Sequence, residues 1–142
     1  MKPLFVYTVV FILLLTSCSK KDSVASKEDL LVSGSWKLIG AAEDNDANGT
    51  YETDAFAGFF DCFKDNYYTF SSNGELELNE NTSKCDPGDP QTMSIDWEFT
   101  QNETHLMVGT DEYAIEELTA SSLKLKQDLA GGRSSLTTFT KR

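Results

Sequence analysis

The stretch MSIDWEFT, residues 93–100, alternates without a slip: Met93, Ile95, Trp97 and Phe99 fall on one side of an extended chain, and Ser94, Asp96, Glu98 and Thr100 on the other. Successive side chains of a strand point to opposite faces, so this is a strand with one face in a core and one in water. The same period returns in ELEL (75–78) and in SLKLKQ (122–127), where Leu123 and Leu125 face in while Lys124 and Lys126 face water. WKLI (36–39), NYYTFS (66–71), HLMVG (105–109), EYAIEEL (112–118) and LTTFTK (136–141) complete a set of about eight strands.

Turn signals separate these strands: Ser72-Asn73-Gly74, Gln101-Asn102-Glu103, Gly109-Thr110-Asp111, Ala120-Ser121 and Gly131-Gly132. Connections this short make an antiparallel meander, and a meander must hide its two edges. Closure on itself does so. The fold class is therefore all-β, a small antiparallel up-and-down barrel of about eight strands. The period assigns Trp36, Leu38, Tyr68, Phe70, Trp97, Phe99 and Tyr113 to its interior. Eight strands leave an inside that side chains fill or that holds one small molecule, and these inward residues are bulky.

One segment breaks the period. In TDAFAGFFDCFKDN (53–66), Phe56, Phe59, Phe60 and Phe63 recur at spacings of three and four, with Thr53 or Asp54 placed to cap. This predicts one short helix after the first strand, over an open barrel end, with its aromatic stripe packed into the core.

The N-terminal part carries an address. Met1 and Lys2 make a basic start, Leu4 to Leu15 is almost wholly apolar, and Leu15-Thr16-Ser17-Cys18 follows. The run is well short of the roughly 20 residues that span a bilayer, which makes it an export signal rather than a lasting membrane helix. Its ending resembles a bacterial lipobox, and the resemblance implies that Cys18 is acylated and becomes the new N-terminus. Several acyl chains on one residue would hold the protein to a membrane. Ser19 after the cysteine is similar to the pattern of lipoproteins sorted to the outer membrane, facing either the periplasm or the cell surface. We expect residues 1–17 as signal peptide, 18–29 as lipidated cysteine and flexible tether, and 30–142 as a single barrel domain.

Charge narrows the partners. The chain carries a formal net charge of -11, and Lys2 is the only charged residue of the signal, so the remainder sits near about -12. Such a domain has no electrostatic affinity for nucleic acid or for an anionic lipid surface. Of three cysteines, Cys18 goes to lipid, leaving Cys62 and Cys85 as a disulfide pair in an oxidising compartment.

The acidic loop EDNDANGTYETDAF (43–56) reads two ways. Asp44, Asp46, Asn48 and Gly49 stand at the first, third, fifth and sixth places of a calcium loop, and Thr50 offers a carbonyl at the seventh. At the twelfth place, where a bidentate glutamate belongs, stands Ala55; Glu52, Asp54 or Asp61 would have to supply that carboxylate. A structural calcium held weakly, at roughly 0.1 to 1 mM, is one reading. The other is a turn built by Asp, Asn and Gly alone. Catalysis finds no footing. His105 is the one histidine, and no Gly-x-Ser-x-Gly elbow, HExxH helix, Walker loop or dinucleotide fingerprint is present.

The order of motifs supplies a resemblance. Gly34-Ser35-Trp36 is similar to the Gly-x-Trp that begins the first strand of lipocalins, and DANGTYETD, DCFKDNYYTFSSNGELEL, KCDPGD, DWEF and EYAIEELTASSLKL follow in turn. Residues 30–142 thus resemble the lipocalin-like domains of envelope lipoproteins. Lipocalins also pack a basic residue near the last strand on that first tryptophan, a part open here to Lys141, Arg142 or Arg133. The resemblance implies a non-catalytic barrel that binds a small apolar ligand near the membrane. The other function compatible with the residues is a filled barrel whose acidic surface or 79–91 loop engages an envelope protein or glycan.

Overall fold

The computed structural model describes residues 25–142. The signal, Cys18 and the start of the tether lie outside the described residues. Among these, nine strands run in chain order: β1 (Ser35–Asp44), β2 (Thr53–Asp54), β3 (Tyr67–Ser71), β4 (Glu75–Asn79), β5 (Thr92–Thr100), β6 (His105–Val108), β7 (Asp111–Leu118), β8 (Ser122–Asp128) and β9 (Ser134–Lys141). From β3 to β9 each pairs antiparallel with the next; β1 pairs with β3 on one side and with β9 on the other, and this closes an eight-stranded barrel. Strand β2 is a two-residue addition to the far end of β1, Ala42 opposite Asp54. All eight expected strands are present, in the expected order.

Register carries the alternation around the barrel. Trp36 stands opposite Tyr68, Tyr68 opposite Leu78, Phe70 opposite Leu76, Phe99 opposite Leu106, Leu106 opposite Tyr113, and Leu123 opposite Phe139. A one-residue slip would turn each of these sets to water, so burial of one face fixes the pairing. A bulge between Leu38 and Gly40 resets β1 against β9 and leaves Ile39 exposed; a second lies between Ile115 and Glu117.

The two barrel ends differ. At the end holding the 72–74, 101–104 and 119–121 turns, the chain enters through helix α1 (Lys27–Val32), a single turn and a half started by a capping box between Ser26 and Asp29. Its Leu31 is buried against Trp36, whose indole Nε1 donates to the Leu31 carbonyl at 2.8 Å. The Lys141 ammonium lies 4.5 Å from the Trp36 ring centroid and donates to the Leu30 carbonyl and the Ser33 hydroxyl. Of the three basic residues available for that part, Lys141 takes it. Leu106 and Leu123 complete the fully buried layer, and this end is plugged.

Two expectations are corrected. Residues 27–29 belong to α1 and not to a tether, because Asp29 answers Ser26 in the cap and Leu31 has a core to enter. The Phe56–Phe63 helix does not form as one piece. A 3-10 turn (Phe56–Gly58) and the one-turn helix α2 (Asp61–Lys64) are broken by extended Phe59 and Phe60. The stripe is not core either: Phe59, Phe60 and Phe63 are exposed, Phe60 by 73 %. The helical spacing fails because Gly58 ends the first turn and two turns of helix are too short to hold themselves in water.

Candidate ligand cavity and the loops around it

Above the plugged layer the barrel is hollow. A cavity of about 190 Å³ lies among Tyr68, Phe70, Leu76, Val108, Tyr113, Leu125, Thr137 and Phe139. All eight are inward positions, drawn from β3, β4, β6, β7, β8 and β9. Behind the Phe70 part of its wall lies an edge-on aromatic stack, Phe70 to Trp97 and Trp97 to Phe99, each pair with centroids 5.4 Å apart. The Trp97 indole N–H is satisfied away from the hollow, by the Ser71 carbonyl at 3.1 Å and the Glu75 carbonyl at 3.2 Å. A dry cavity of about 150 Å³ accepts benzene, so this one suits a compact monocyclic or short-chain molecule rather than a long lipid.

Of the seven interior residues read from sequence, Tyr68, Phe70 and Tyr113 line the cavity. Trp36 and Leu38 are buried elsewhere, and Trp97 and Phe99 pack behind Phe70 rather than line the hollow. Leu125 faces in as its period predicts, and Leu76, Val108, Thr137 and Phe139 join it, each reached by extending the period of two along its strand. Tyr68 packs edge-on against Phe139 with centroids 5.4 Å apart. Burial raises the Tyr68 phenol above its ordinary pKa, with a smaller push from Tyr113; burial and then the Asp111 carboxylate raise Tyr113 likewise. Both stay neutral hydrogen-bonding groups in a wall that is apolar apart from them and Thr137.

Two loops gather at the end opposite α1. Cys62 in α2 and Cys85 in the 80–91 loop are joined as a disulfide with Cα atoms 5.2 Å apart. Asp65 secures the same junction, one carboxylate oxygen accepting from the Thr82 amide and hydroxyl and the Ser83 amide.

The acidic loop folds instead over the outer face of β1 and β9. Single oxygens of Asp44, Asp46 and Glu52 lie within 4.8 Å of one another. The loop is also tied by its own bonds. Asp44 accepts the Gly49 amide at 2.8 Å and the Asn48 amide at 3.2 Å, and the Asn48 side-chain amide donates to Asp46 and Glu52. Burial pushes the Asp44 carboxyl upward, but the Gly49, Asn48 and Ala47 amides outweigh it and hold its pKa low. Thr50 donates its amide to Asn48, Asp54 caps Ala57, and Asp61 stands in solvent beside Lys64. None of these three joins the converging carboxylates.

A larger outer hollow of about 580 Å³ lies between this loop and β7–β9, and it is polar and open. Both of its lysines pair, Lys124 with Glu117 at 2.8 Å and Lys126 with Asp128 at 3.1 Å. His105 Nδ1 meets the Thr104 hydroxyl at 2.9 Å in the exposed 101–104 turn, far from the cavity.

A family model described as "Lipocalin-like domain" matches residues 32–125, about two thirds of the chain. The chain belongs to that family. No curated protein matches it.

Proposed function

We propose that this member of the lipocalin-like family is a non-catalytic binding protein, tethered to a membrane through Cys18 outside the cytoplasm, that takes a small apolar ligand into its barrel. The cavity carries the reading: a largely apolar hollow with two neutral phenols and the hydroxyl-bearing Thr137 in its wall, lying above the plugged end, suits the binding of a small apolar molecule. The Leu15-Thr16-Ser17-Cys18 ending supports the tether and an outer-membrane address, and the Cys62–Cys85 bond supports an oxidising compartment.

A second reading, a scaffold for an envelope protein or glycan, is favoured by the exposed Phe59, Phe60 and Phe63. Non-denaturing mass spectrometry of the exported, oxidised protein separates the two. An organic mass released on denaturation, and absent from a Val108→Trp variant whose added ring fills the hollow, is the expected result. A bare chain mass in both proteins, with no uptake of ethylbenzene by either, would sink the carrier reading and leave the scaffold.

A further inference from the structure

The end opposite α1 carries three oxygens that no donor meets. Tyr67 and Asn79 form the last pair between β3 and β4, and the Glu80 amide continues the ladder by donating to the Gln91 carbonyl at 3.0 Å. One step beyond that pair stand Asn66 and Glu80, both buried: Asn66 is 2 % exposed and Glu80 6 %. Asp65 precedes Asn66 and reaches the same junction, since its Oδ2 accepts from the Thr82 amide and hydroxyl and from the Ser83 amide. Yet Asp65 Oδ1, Asn66 Oδ1 and Glu80 Oε2 are enclosed with no hydrogen-bond donor on any of them.

Buried polar atoms are almost always paired, and an enclosed carboxylate oxygen without a donor is among the costliest exceptions. All three orphans are acceptors, so the missing partner is electropositive. Side chains do not supply it. Among the described residues no lysine, arginine or histidine pairs with Asp65 or Glu80; Lys64 bonds Asp61 and lies over the Phe56 ring, and Lys84 donates to the Asp89 carbonyl at 2.6 Å. Burial pushes the Asp65 carboxyl upward, but the Thr82 hydroxyl and the Ser83 and Thr82 amides outweigh it and hold its pKa low, so it is charged at neutral pH. Nor does solvent reach the three atoms, which are closed to it. A bare metal ion needs less room: calcium sits about 2.3 to 2.6 Å from oxygen, against roughly 2.8 Å for a hydrogen-bonded water.

The donor set chooses among ions. Two carboxylates and an amide carbonyl are hard oxygen ligands, which suit calcium; magnesium keeps its waters, and zinc favours nitrogen or sulfur, while Cys62 and Cys85 of these loops are bonded to each other. The 44–52 loop makes the contrast, because its Asp44, Asp46 and Glu52 carboxylates already accept from Asn48 and Gly49. We propose that Asp65 Oδ1, Asn66 Oδ1 and Glu80 Oε2 bind a structural calcium ion, which pins the 80–91 loop to the start of β3. Three side-chain oxygens make a weak site, in the range of about 0.1 to 1 mM. The ion stands apart from the cavity and from whatever fills it.

The test is thermal unfolding of the full oxidised chain, stripped with chelator and then titrated with calcium chloride. The midpoint should rise by about 5 °C or more by about 10 mM calcium. Glu80→Gln should weaken calcium binding about tenfold or more, since the site loses a charged ligand. In chelator the same variant should melt at or above the unaltered protein, because the buried charge that lacked a counter-ion is gone. A residue that merely held the loop would lower the midpoint in both conditions, and that result overturns the assignment. So does a midpoint indifferent to calcium, or a calcium response that survives both Glu80→Gln and Asn66→Leu. A response removed by Asp46→Asn and kept by Glu80→Gln would move the ion to the acidic loop and overturn it as well.

Discussion

Replacing Trp36 by phenylalanine attacks the plug at its keystone. The indole is fully buried, its N–H is bonded to the Leu31 carbonyl, and its face carries the Lys141 ammonium. Phenylalanine keeps one ring but strands that carbonyl, at about 1 to 3 kcal/mol. It also weakens a cation–π contact worth about 0.5 to 1 kcal/mol and leaves a small void. A loss of about 3 kcal/mol is expected. With an unfolding entropy of about 2.1 cal/mol/K per residue over roughly 120 residues, the midpoint should fall by about 12 °C, read by near-ultraviolet circular dichroism. Lys141→Met alone should cost about 1.5 kcal/mol, and the double variant should fall short of the sum by about 1 kcal/mol because the two side chains share one interaction. A fall of under 3 °C for Trp36→Phe, or strict additivity in the cycle, would refute the view that helix, indole and ammonium act as one closure.

Other consequences can be checked on the same samples. Cys62→Ser with Cys85→Ser frees a loop with sequence separation 23 and should cost about 3 kcal/mol, measured by urea unfolding; an unchanged midpoint would mean that the Asp65 bonds alone hold the junction. The raised pKa values of Tyr68 and Tyr113 mean that the folded state keeps protons the unfolded chain releases. That contribution is whole below the ordinary value of 10.0 and is lost as pH climbs from there through the folded values, so stability should drop with late phenolate absorbance. Asp44→Ala should loosen the acidic loop, since the Gly49 amide loses its acceptor while the Asn48 amide keeps Asp46, and amide exchange should quicken at Gly49 more than at Asn48. Asp46→Asn should alter the response of the midpoint to calcium, up to 10 mM, by less than about 1 °C; a rise of several degrees that Asp46→Asn abolishes would give the loop to the ion.

The barrel was legible because its code is local. Alternation in residues 93–100, repeated in seven other segments, needs no partner to be read, and closure follows from edges that must be covered. The 53–66 segment was not, since helical spacing of phenylalanines says nothing of whether a surface exists for them to meet. The helix at 27–32 was missed for a related reason: Ser26 and Asp29 form its capping box, but its six residues have one buried anchor, Leu31, and so little periodicity. The burial of Asn66 and Glu80 was beyond reach altogether, since both look like surface residues flanking strands and only the folded chain encloses them.

The placement of the two ends bears on the tether. Helix α1 enters beside Trp36 and the 101–104 turn, where Lys27 donates to the Glu103 carbonyl, so the described chain begins at the plugged end. The Cys62–Cys85 disulfide and the 80–91 loop stand at the other end. An anchor at Cys18 would then set the plugged end nearer the membrane and the disulfide-tied loops farther from it, and a lipid-attached probe should quench a label on the 101–104 turn more than one on the 80–91 loop; equal quenching would refute that orientation.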